Sequence, residues 1–211
     1  MSVELAALTR LWAEGWAVSR GTPAPVETEW GLRIDVGVPN QLLRHVLLEP
    51  EEAGVRNLAA TVGEPLTWIK SHVEPALLAA WLPDGWTEDV PGWIMAVDVL
   101  PGHVAVPDGY AVSTSTENGV TRVRILAADG SEAARGQIGH AGDHGTVDQI
   151  ATDPAHQRRG LGRVVMSALA NSAFDAGESI SVLGATIEGR ALYESIGWKV
   201  HAPLVGFVYK R

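Results

Sequence analysis

The stretch VDQIATDPAHQRRGLGR, residues 147–163, carries the clearest structural pattern of the chain. Its first part, around Ile150, is apolar and β-branched, and this pattern predicts a buried strand. Asp153-Pro154 ends the strand, because a proline has no N–H to donate to a central ladder. From Leu161 onward, apolar residues recur at positions i, i+3, i+4, i+7 and i+8, which is typical of a helix. The stretch therefore predicts a strand, a glycine-containing turn and the start of a helix.

The turn between this strand and this helix suits an anion. The first N–H groups of a helix have no internal partners, and the helix dipole places partial positive charge there. Gly160 and Gly162 remove side chains that would keep a ligand away from the backbone. Arg158, Arg159 and Arg163 add donor groups that suit phosphate. We expect a ligand that carries phosphates, and the residues leave open the alternative of a glycine-rich helix start with solvated arginines.

The segment QRRGLG, residues 157–162, resembles the Q/R-x-x-G-x-G/A motif of the GNAT acyltransferase superfamily. It is neither a Walker loop nor a dinucleotide fingerprint, because it lacks both Gly-Lys-Ser/Thr and G-x-G-x-x-G. The resemblance implies that the strand pairs with the pantetheine arm of CoA and that the turn and helix start hold the pyrophosphate. The cofactor-binding residues that it implies are Ile150, Ala151, Thr152, Arg158, Arg159, Gly160, Leu161, Gly162, Arg163 and Thr186.

A second segment, ATIEGRALYESIGWKV at residues 185–200, resembles the helix A-x-x-LY-x-x-x-GF of the same superfamily. Gly189 replaces the alanine of that pattern and Trp198 replaces the phenylalanine. The tyrosine in this motif commonly acts as the general acid that protonates the leaving thiolate of CoA, and Tyr193 has that position. A thiolate with a conjugate pKa of roughly 8–10 and a tyrosine with a pKa near 10 exchange a proton with little free-energy difference. The alternative is a tyrosine that only packs its ring beneath the sheet.

Two departures from the family pattern concern the chemistry. Many members have an asparagine seven residues before the tyrosine, whereas Thr186 here offers a hydroxyl but no amide. The predicted strand over 179–185 has no carboxylate, so this strand supplies no general base. Asp148 is the first candidate for the base. A water chain, an amine that arrives neutral, and a purely structural role of Asp148 stay open.

The composition is that of a globular protein, with 211 residues, 46% hydrophobic residues and 19% charged residues. The absence of cysteine excludes disulfides, thiolate metal sites and a cysteine nucleophile. A formal net charge of −9 argues against a general nucleic-acid partner. No apolar run approaches the ~18 residues of a membrane helix, and no signal-peptide pattern is present. We therefore expect a cytoplasmic protein without a membrane partner.

The apolar pattern in the first half of the chain predicts a mixed α/β region. Helices are expected over 1–20, 50–62 and 75–82, and strands over 30–38, 42–48, 66–70 and 93–100. The tryptophans Trp68, Trp81 and Trp93 are expected to belong to the core. The segment PGHVAVP, residues 101–107, is the boundary candidate. Residues 1–104 would form an N-terminal α/β region, either a degenerate GNAT-like half or an extension that shapes the acceptor site, and 105–211 would form the acetyltransferase domain.

The second half predicts a meander that leads into the central strand. Asn118-Gly119 and Asp129-Gly130 separate three alternating runs, and such dipeptides are strong hairpin signals. After the helix that starts at Leu161, a strand, a short helix and two closing strands over 198–200 and 204–209 follow. The resemblance implies an α/β (α+β) fold of the GNAT type, with a mixed, mostly antiparallel sheet flanked by helices.

The segment HAGDHG carries His140, Asp143 and His144 and is expected to be a solvated polar loop. A metal site or a histidine base in this loop is a weaker alternative, because the spacing points to no further ligand. We expect no metal.

Taken with the resemblance, these residues predict an acyl-CoA-dependent N-acyltransferase that transfers acetyl from acetyl-CoA to a primary amine by direct attack in a ternary complex. The unassigned base and Thr186 favour an alternative, a non-catalytic CoA-binding regulatory or interaction domain. The expected acceptor is the amine of a small molecule or peptide, and a homodimer is left open.

Overall fold

The computed structural model describes residues 2–210. Met1 of the predicted N-terminal helix and Arg211 of the predicted C-terminal domain lie outside the described residues. The helices are α1 (Ser2–Arg20), α2 (Glu52–Thr61), α3 (Pro75–Trp81), α4 (Leu161–Asp175) and α5 (Ile187–Glu194), and Pro154–His156 forms a 3₁₀ turn. The strands are β1 (Val26–Thr28), β2 (Gly31–Val38), β3 (Gln41–Leu47), β4 (Thr67–Ser71), β5 (Trp86–Glu88), β6 (Gly92–Asp98), β7 (Tyr110–Glu117), β8 (Val120–Ala127), β9 (Glu132–Ala141), β10 (His144–Thr152), β11 (Ile180–Ala185) and β12 (Lys199–Tyr209).

All twelve strands form one sheet, in the order β1-β2-β3-β4-β12-β6-β11-β10-β9-β8-β7, with β5 paired to β12. Among these strands the β3–β4 and β10–β11 pairs are parallel and the other pairs are antiparallel. The prediction of a mixed, mostly antiparallel sheet flanked by helices is therefore confirmed.

Helices cover both faces of the sheet, and the alternation of side chains along β6 shows how. Ile94 and Ala96 belong to the apolar cluster beneath α1, whereas Met95 belongs to the cluster beneath α4. A third cluster packs α2 and α3 against β3, β4 and β12. The helix α1 therefore lies on one face of the sheet, and α4 and α5 lie on the other.

Three local predictions are corrected by the structure. The polar loop at HAGDHG is a tight turn, because β9 extends to Ala141, β10 begins at His144, and Gly142 has a φ of 68°. The two closing strands are one strand, β12, which accommodates Pro203 next to a register shift between Val200 and Ala202. The strands β1 and β5, of three residues each, were not predicted.

The two halves of the chain interlock through their last strands. The strand β6, from the first half, pairs with β11, and β12, from the second half, pairs with β4. β6 and β12 also pair with each other at the centre of the sheet. Each half contains a parallel strand pair with a helix between its strands, β3-α2-β4 in the first half and β10-α4-β11 in the second. The division at 104/105 stays a prediction about the chain.

Over the described residues, no helix is both long enough and apolar enough to cross a membrane.

Candidate functional site

The central strand β10 carries a bulge that opens the sheet. Its register with β9 shifts between Asp148 and Ala151, and Gln149 within the shift has a φ of 56°. β10 pairs with β11 only from His144 to Val147. Beyond Val147 the two parallel strands separate, so the edge of β10 that faces β11 has no partner strand there. A bulge next to a splayed strand pair is a common way to direct backbone groups into a site.

A cleft of about 930 Å³ lies where β10 and β11 separate. Its walls come from β10, β11 and the first turns of α4 and α5. The residues that line it include Asp148, Ile150, Ala151, Thr152, Arg158, Gly160, Leu161, Gly162, Arg163, Gly184, Thr186, Gly189, Leu192 and Tyr193. The structure thus brings all the predicted site residues except Arg159 to one cleft.

The turn before α4 presents unpaired backbone donors at the cleft. Gly160, the residue at the N-terminal cap, has a φ of 80°, and an added Cβ there would meet nothing within 4 Å. Arg158 is also left-handed, with a φ of 62°. The N–H groups of Arg163 and Val164 already donate to the Gly160 carbonyl. The N–H groups of Leu161, Gly162 and Gly160 precede the first helical hydrogen bonds, so they are the donors that an anion can use.

Gly162 has a different role from Gly160. A Cβ at Gly162 would lie 2.9 Å from Cδ2 of Leu192, so this glycine gives room for α5 to pack against α4. The expectation that both glycines serve close approach of a ligand therefore needs revision at Gly162. Packing of the two helices brings Tyr193, one residue after Leu192, to the cleft.

The three arginines of the motif are placed differently. Arg158 lines the cleft and is exposed. Arg163 lines the cleft and donates from Nη2 to Oγ of Ser195 at 3.0 Å, which ties α4 to the end of α5. Arg159 donates to the Ala155 carbonyl at 3.4 Å and does not line the cleft. The structure therefore gives Arg159 no contact with the cleft, and its ligand-binding role, like that of the other site residues, stays a prediction.

Tyr193, on α5, lines the cleft and is 8% exposed. Burial, and in second place the negative charge of Asp148, raise the pKa of its phenol to about 12. A Cβ on Gly189 would lie 2.9 Å from Cε2 of Tyr193. The tyrosine ring thus occupies the space that the family's alanine would fill, which gives a physical reason for glycine at position 189.

Thr186 caps α5. Its hydroxyl oxygen accepts a hydrogen bond from the Gly189 N–H at 3.2 Å, and the residue also lines the cleft. The hydroxyl proton is not used by this cap, so Thr186 can both start the helix and donate to a ligand.

Asp148 is held by residues from α1. Its carboxylate accepts from both Nε and Nη2 of Arg20, with the Nη2–Oδ1 distance at 3.0 Å, and from Oγ of Ser19 at 3.0 Å. Its Oδ1 also accepts from the Gln149 N–H at 2.9 Å, inside the bulge. These contacts occupy most of the acceptor capacity that a general base needs. Sequence reasoning missed Ser19 and Arg20, because they are far from Asp148 along the chain and carry no local motif.

The histidines of the predicted polar loop are structural and lie away from the cleft. His140 bonds to Oε1 of the buried Glu178 at 2.6 Å and to Oγ1 of Thr121 at 2.8 Å. His144 is 4% exposed and bonds to the Leu11 carbonyl at 3.1 Å. The prediction that this segment is solvated is wrong for His140 and His144, which join β9 and β10 to neighbouring elements, whereas Asp143 is exposed. Within residues 2–210, no group of three or more histidine, aspartate or glutamate side chains is arranged to hold a metal ion.

The chain is similar to known acyltransferases in sequence and in fold. Residues 121–200 match the family model described as an acetyltransferase (GNAT) domain. Over 108 residues the chain is 34% identical to the L-amino acid N-acyltransferase MnaT of Escherichia coli (strain K12). The matched region covers 49% of this chain and 59% of that protein. The chain thus spans less than two thirds of the length of this relative.

Solved structures share the fold at low sequence identity. A GCN5-related N-acetyltransferase from Kribbella flavida has a TM-score of 0.68 at 16% identity and covers 97% of this chain and 95% of its own. An acetyltransferase of the GNAT family from Novosphingobium aromaticivorans has a TM-score of 0.60 at 18% identity, with 96% and 99% covered. A tandem GNAT protein from the clavulanic acid biosynthesis pathway has a TM-score of 0.55 at 14% identity, with 74% and 67% covered. At these identities the likeness concerns the fold.

Proposed function

We propose that this chain, whose residues 121–200 match the model of an acetyltransferase (GNAT) domain, acts as an enzyme of the GNAT type and transfers an acyl group, most simply acetyl, from acyl-CoA to a primary amine. One observation carries the proposal. A single cleft of about 930 Å³ contains both the open turn at Gly160 and the buried hydroxyl-bearing ring of Tyr193. The cleft is in the size range of cofactor sites.

The residues of the cleft fit the successive parts of CoA, from the pyrophosphate to the thioester. Free N–H groups at Gly160, Leu161 and Gly162 suit the pyrophosphate, and Arg158 adds positive charge at the same turn. The unpaired edge of β10 over 150–152 suits the amide-containing pantetheine arm, which can pair as an added strand. Bound acyl-CoA supplies a thioester, and the β10 bulge offers backbone N–H groups that can polarise its carbonyl.

Two chain residues are assigned to the proton transfers. The acceptor nitrogen forms a bond to the acyl carbon, the carbon–sulfur bond breaks, and Tyr193 gives its phenolic proton to the leaving sulfur. Asp148 stays the candidate base for the amine proton, and its pair with Arg20 favours a second role, in which it fixes the bulge that faces the thioester. An amine that binds in its neutral form needs no protein base.

The name of the Escherichia coli relative, an L-amino acid N-acyltransferase, supports an amine as the acceptor. It also supports transfer to nitrogen over transfer to oxygen.

The test measures thiol release from acetyl-CoA with a panel of primary amines. The protein has no cysteine, so a thiol reagent has no background from the chain. We expect release with the wild type and a decrease in kcat of about 100-fold or more for Tyr193→Phe, the usual contribution of a general acid. The Kd for CoA should stay the same, because the variant keeps the ring. Tyr209→Phe, on β12 and outside the cleft lining, is the matched control and should keep full activity.

Two outcomes would contradict this proposal. If CoA binds but no amine in the panel releases thiol, the chain is a non-catalytic CoA-binding domain, which the tight pairing of Asp148 favours as the second candidate. If ATP or NAD raises the melting temperature and CoA does not, the phosphates belong to another ligand. A ligand at 100 times its Kd should stabilise the fold by roughly 2.7 kcal/mol, which is readily measured.

A further inference from the structure

Three cationic side chains lie together on the α1 face of the sheet, and only two of them have a carboxylate partner. Arg20 pairs with Asp148. Lys70, on β4, pairs with Asp89 at 2.8 Å. Arg44, on β3, makes no ion pair with any side chain in the described part of the chain. This arrangement stands out in a protein with a net charge of −9.

Arg44 is also the most deeply buried of these cations, at 7% exposed. Its guanidinium lies 3.7 Å from the ring centroid of Trp16 and 5.6 Å from that of Trp12, and its Nη2 donates to Oε1 of Gln41 at 3.0 Å. Its Nε has no hydrogen-bond partner, and neither has the buried Nε2 of Gln41. Two buried donors, one on a cation, thus lack acceptors at the same place.

The physical cost of this arrangement calls for an anion. Burial, and in second place the charge of Arg20, lower the pKa of Arg44 to about 9, although the charges of Asp148 and Asp89 oppose this shift, so the side chain is still cationic at neutral pH. Neither Asp148 nor Asp89 forms an ion pair with Arg44, and contacts with aromatic faces offset the desolvation of a buried cation only in part. The guanidinium fork is shaped for a carboxylate, and the spare N–H of Gln41 adds a further donor.

Arg44 lies near the part of the cleft wall that Gly184 forms. Gly184 lines the cleft, and a Cβ at Gly184 would lie 3.2 Å from Nε1 of Trp12, which stacks on Arg44. Arg20 lies over the same Trp16 ring at 5.4 Å and holds Asp148, which also lines the cleft. At 39% exposed, the side chain of Arg20 marks the solvent side of the cluster. Arg44 therefore does not line the cleft itself, and Trp12 lies between Arg44 and the Gly184 wall of the cleft.

We propose that Arg44, assisted by Gln41, binds a carboxylate of the acceptor, so that the acceptor is an amine that also carries a carboxylate, as an amino acid does. This inference rests on the proposed acyl transfer and adds the group that selects the acceptor. Arg44 comes from the first half of the chain, outside residues 121–200, which gives that half a role in substrate selection.

The test compares matched acceptors that differ only in the carboxylate, namely L-amino acids and their amides. Thiol release from acetyl-CoA gives kcat and KM for each. The wild type should prefer the amino acids, and Arg44→Met should raise their KM by about 100-fold, as expected for the loss of one buried charge pair. The amides should change by less than about threefold. Arg44→Lys should give an intermediate KM, because it keeps the charge but loses the fork.

The controls separate recognition from folding. Arg122→Met removes an exposed arginine on β8 and should leave both acceptor classes unchanged. The Kd for CoA and the melting temperature report whether Arg44→Met is folded. If Arg44→Met is not folded, the KM values of Arg44→Lys for amino acids and for amides test the inference instead. Equal losses with amino acids and amides, with an unchanged Kd for CoA, would show that Arg44 is only structural and would overturn the inference.

The outcomes also distinguish this inference from the proposed function. If the wild type acylates amides as well as amino acids, acyl transfer stands and the carboxylate site is refuted. If no amine releases thiol, acyl transfer is refuted, and the site is then judged by melting temperature alone. The carboxylate site is supported if amino acids, but not their amides, raise the melting temperature of the wild type and Arg44→Met loses this effect. If amino acids do not raise the melting temperature of the wild type, the carboxylate site is overturned.

Discussion

Burial sets the chemistry of Tyr193. With its pKa raised to about 12, the phenol stays protonated at any physiological pH. Transfer of its proton to a thiolate whose conjugate pKa is roughly 8–10 is then uphill by about 2–4 units, or roughly 3–5 kcal/mol. The same apolar walls also disfavour a thiolate, so a sulfur that leaves inside the cleft has a raised pKa too. How well Tyr193 acts as an acid therefore depends on the difference between its own pKa and the pKa of the leaving thiol inside the cleft.

His45 should make the stability of the protein depend on pH. It is 4% exposed, its Nδ1 lacks a partner, and burial, followed by the charge of Arg33, lowers its pKa to about 4. Between pH 6.5 and 4 the unfolded chain therefore binds the proton more tightly, so this contribution to stability is complete above pH 6.5 and declines as the pH falls. Urea titrations at pH 7 and pH 4.5 should give free energies of unfolding that differ by about 2–3 kcal/mol because of this residue.

His45→Leu should remove that part of the pH dependence, because leucine does not titrate. His103→Leu, at an exposed position between β6 and β7, is the control and should keep it. An unchanged slope in His45→Leu would show that His45 is not the cause.

At the level of single residues, the sequence revealed the groups whose role is local. The motif around Gly160 specifies a left-handed turn and a helix start, and these are set by neighbours along the chain. The partners of Asp148 could not be predicted, since Ser19 and Arg20 reach it only through packing of α1 on the sheet. Arg44 gave no signal either, because an arginine in a predicted strand is usually solvated.

The helix α1 acts as an element of the site. Gln137 on β9 donates to the Ser19 carbonyl at 2.7 Å, next to the bond between Ser19 and Asp148. Trp12 and Trp16 cover the strands and stack on Arg44. The placement of this one helix therefore controls both the bulge of β10 and the proposed carboxylate site.

Gly139 on β9 tests this dependence. An added Cβ would overlap the Gly15 carbonyl oxygen and lie 2.6 Å from the Ser19 backbone nitrogen. Both groups are backbone atoms of α1, so no side chain can rotate away and the helix must shift. We expect Gly139→Ala to lower the free energy of unfolding by about 1–3 kcal/mol and to reduce kcat, because Arg20 moves from Asp148.

Gly63, between α2 and β4, has open space around an added Cβ and is the matched control. Thermal melts and thiol-release assays of Gly139→Ala and Gly63→Ala should differ clearly. Equal stability of the two variants would mean that α1 is free to move on the sheet.

Element by element, the sequence predicted the long, periodic segments and missed the short ones. Each of β1 and β5 has three residues, too few to show an alternation. The sequence predicts two strands separated at Pro203, because a proline usually ends a strand. In the structure β12 continues through Pro203, next to the register shift between Val200 and Ala202. Such effects depend on the neighbouring strand, which one sequence segment does not contain.

The whole molecule is joined by the exchange of β6 and β12. Each strand pairs with the parallel strand unit of the other half, and the two pair with each other. The segment between β6 and β7 therefore joins the two halves along the chain, while the sheet is continuous across them. The sequence pattern identified the linker but could not show the exchange, because pairing between distant strands leaves no local pattern.

A fragment of residues 105–211 should not fold by itself. Without β6, the strand β11 loses its antiparallel partner and β12 loses its central neighbour. We expect the fragment to lack a cooperative thermal transition and to bind no CoA, and co-expression with residues 1–104 should restore both. Calorimetry and CoA titration are the measurements.

A full-length chain with a flexible insertion in the segment 101–107 is the control. It should fold with little loss, since each doubling of loop length costs only about 0.6 kcal/mol. A fragment of residues 105–211 that unfolds cooperatively and binds CoA would establish an independent domain instead.

The strand exchange has a consequence for biosynthesis. The strand β12 follows β6 by roughly a hundred residues, and ribosomes add about 5–20 residues per second. A nascent chain therefore displays β6 for roughly 5–20 seconds before its central neighbour exists, with strand edges open to other polypeptides. We expect chaperone supply and growth temperature to govern the soluble yield of this protein more strongly than codon choice within either half.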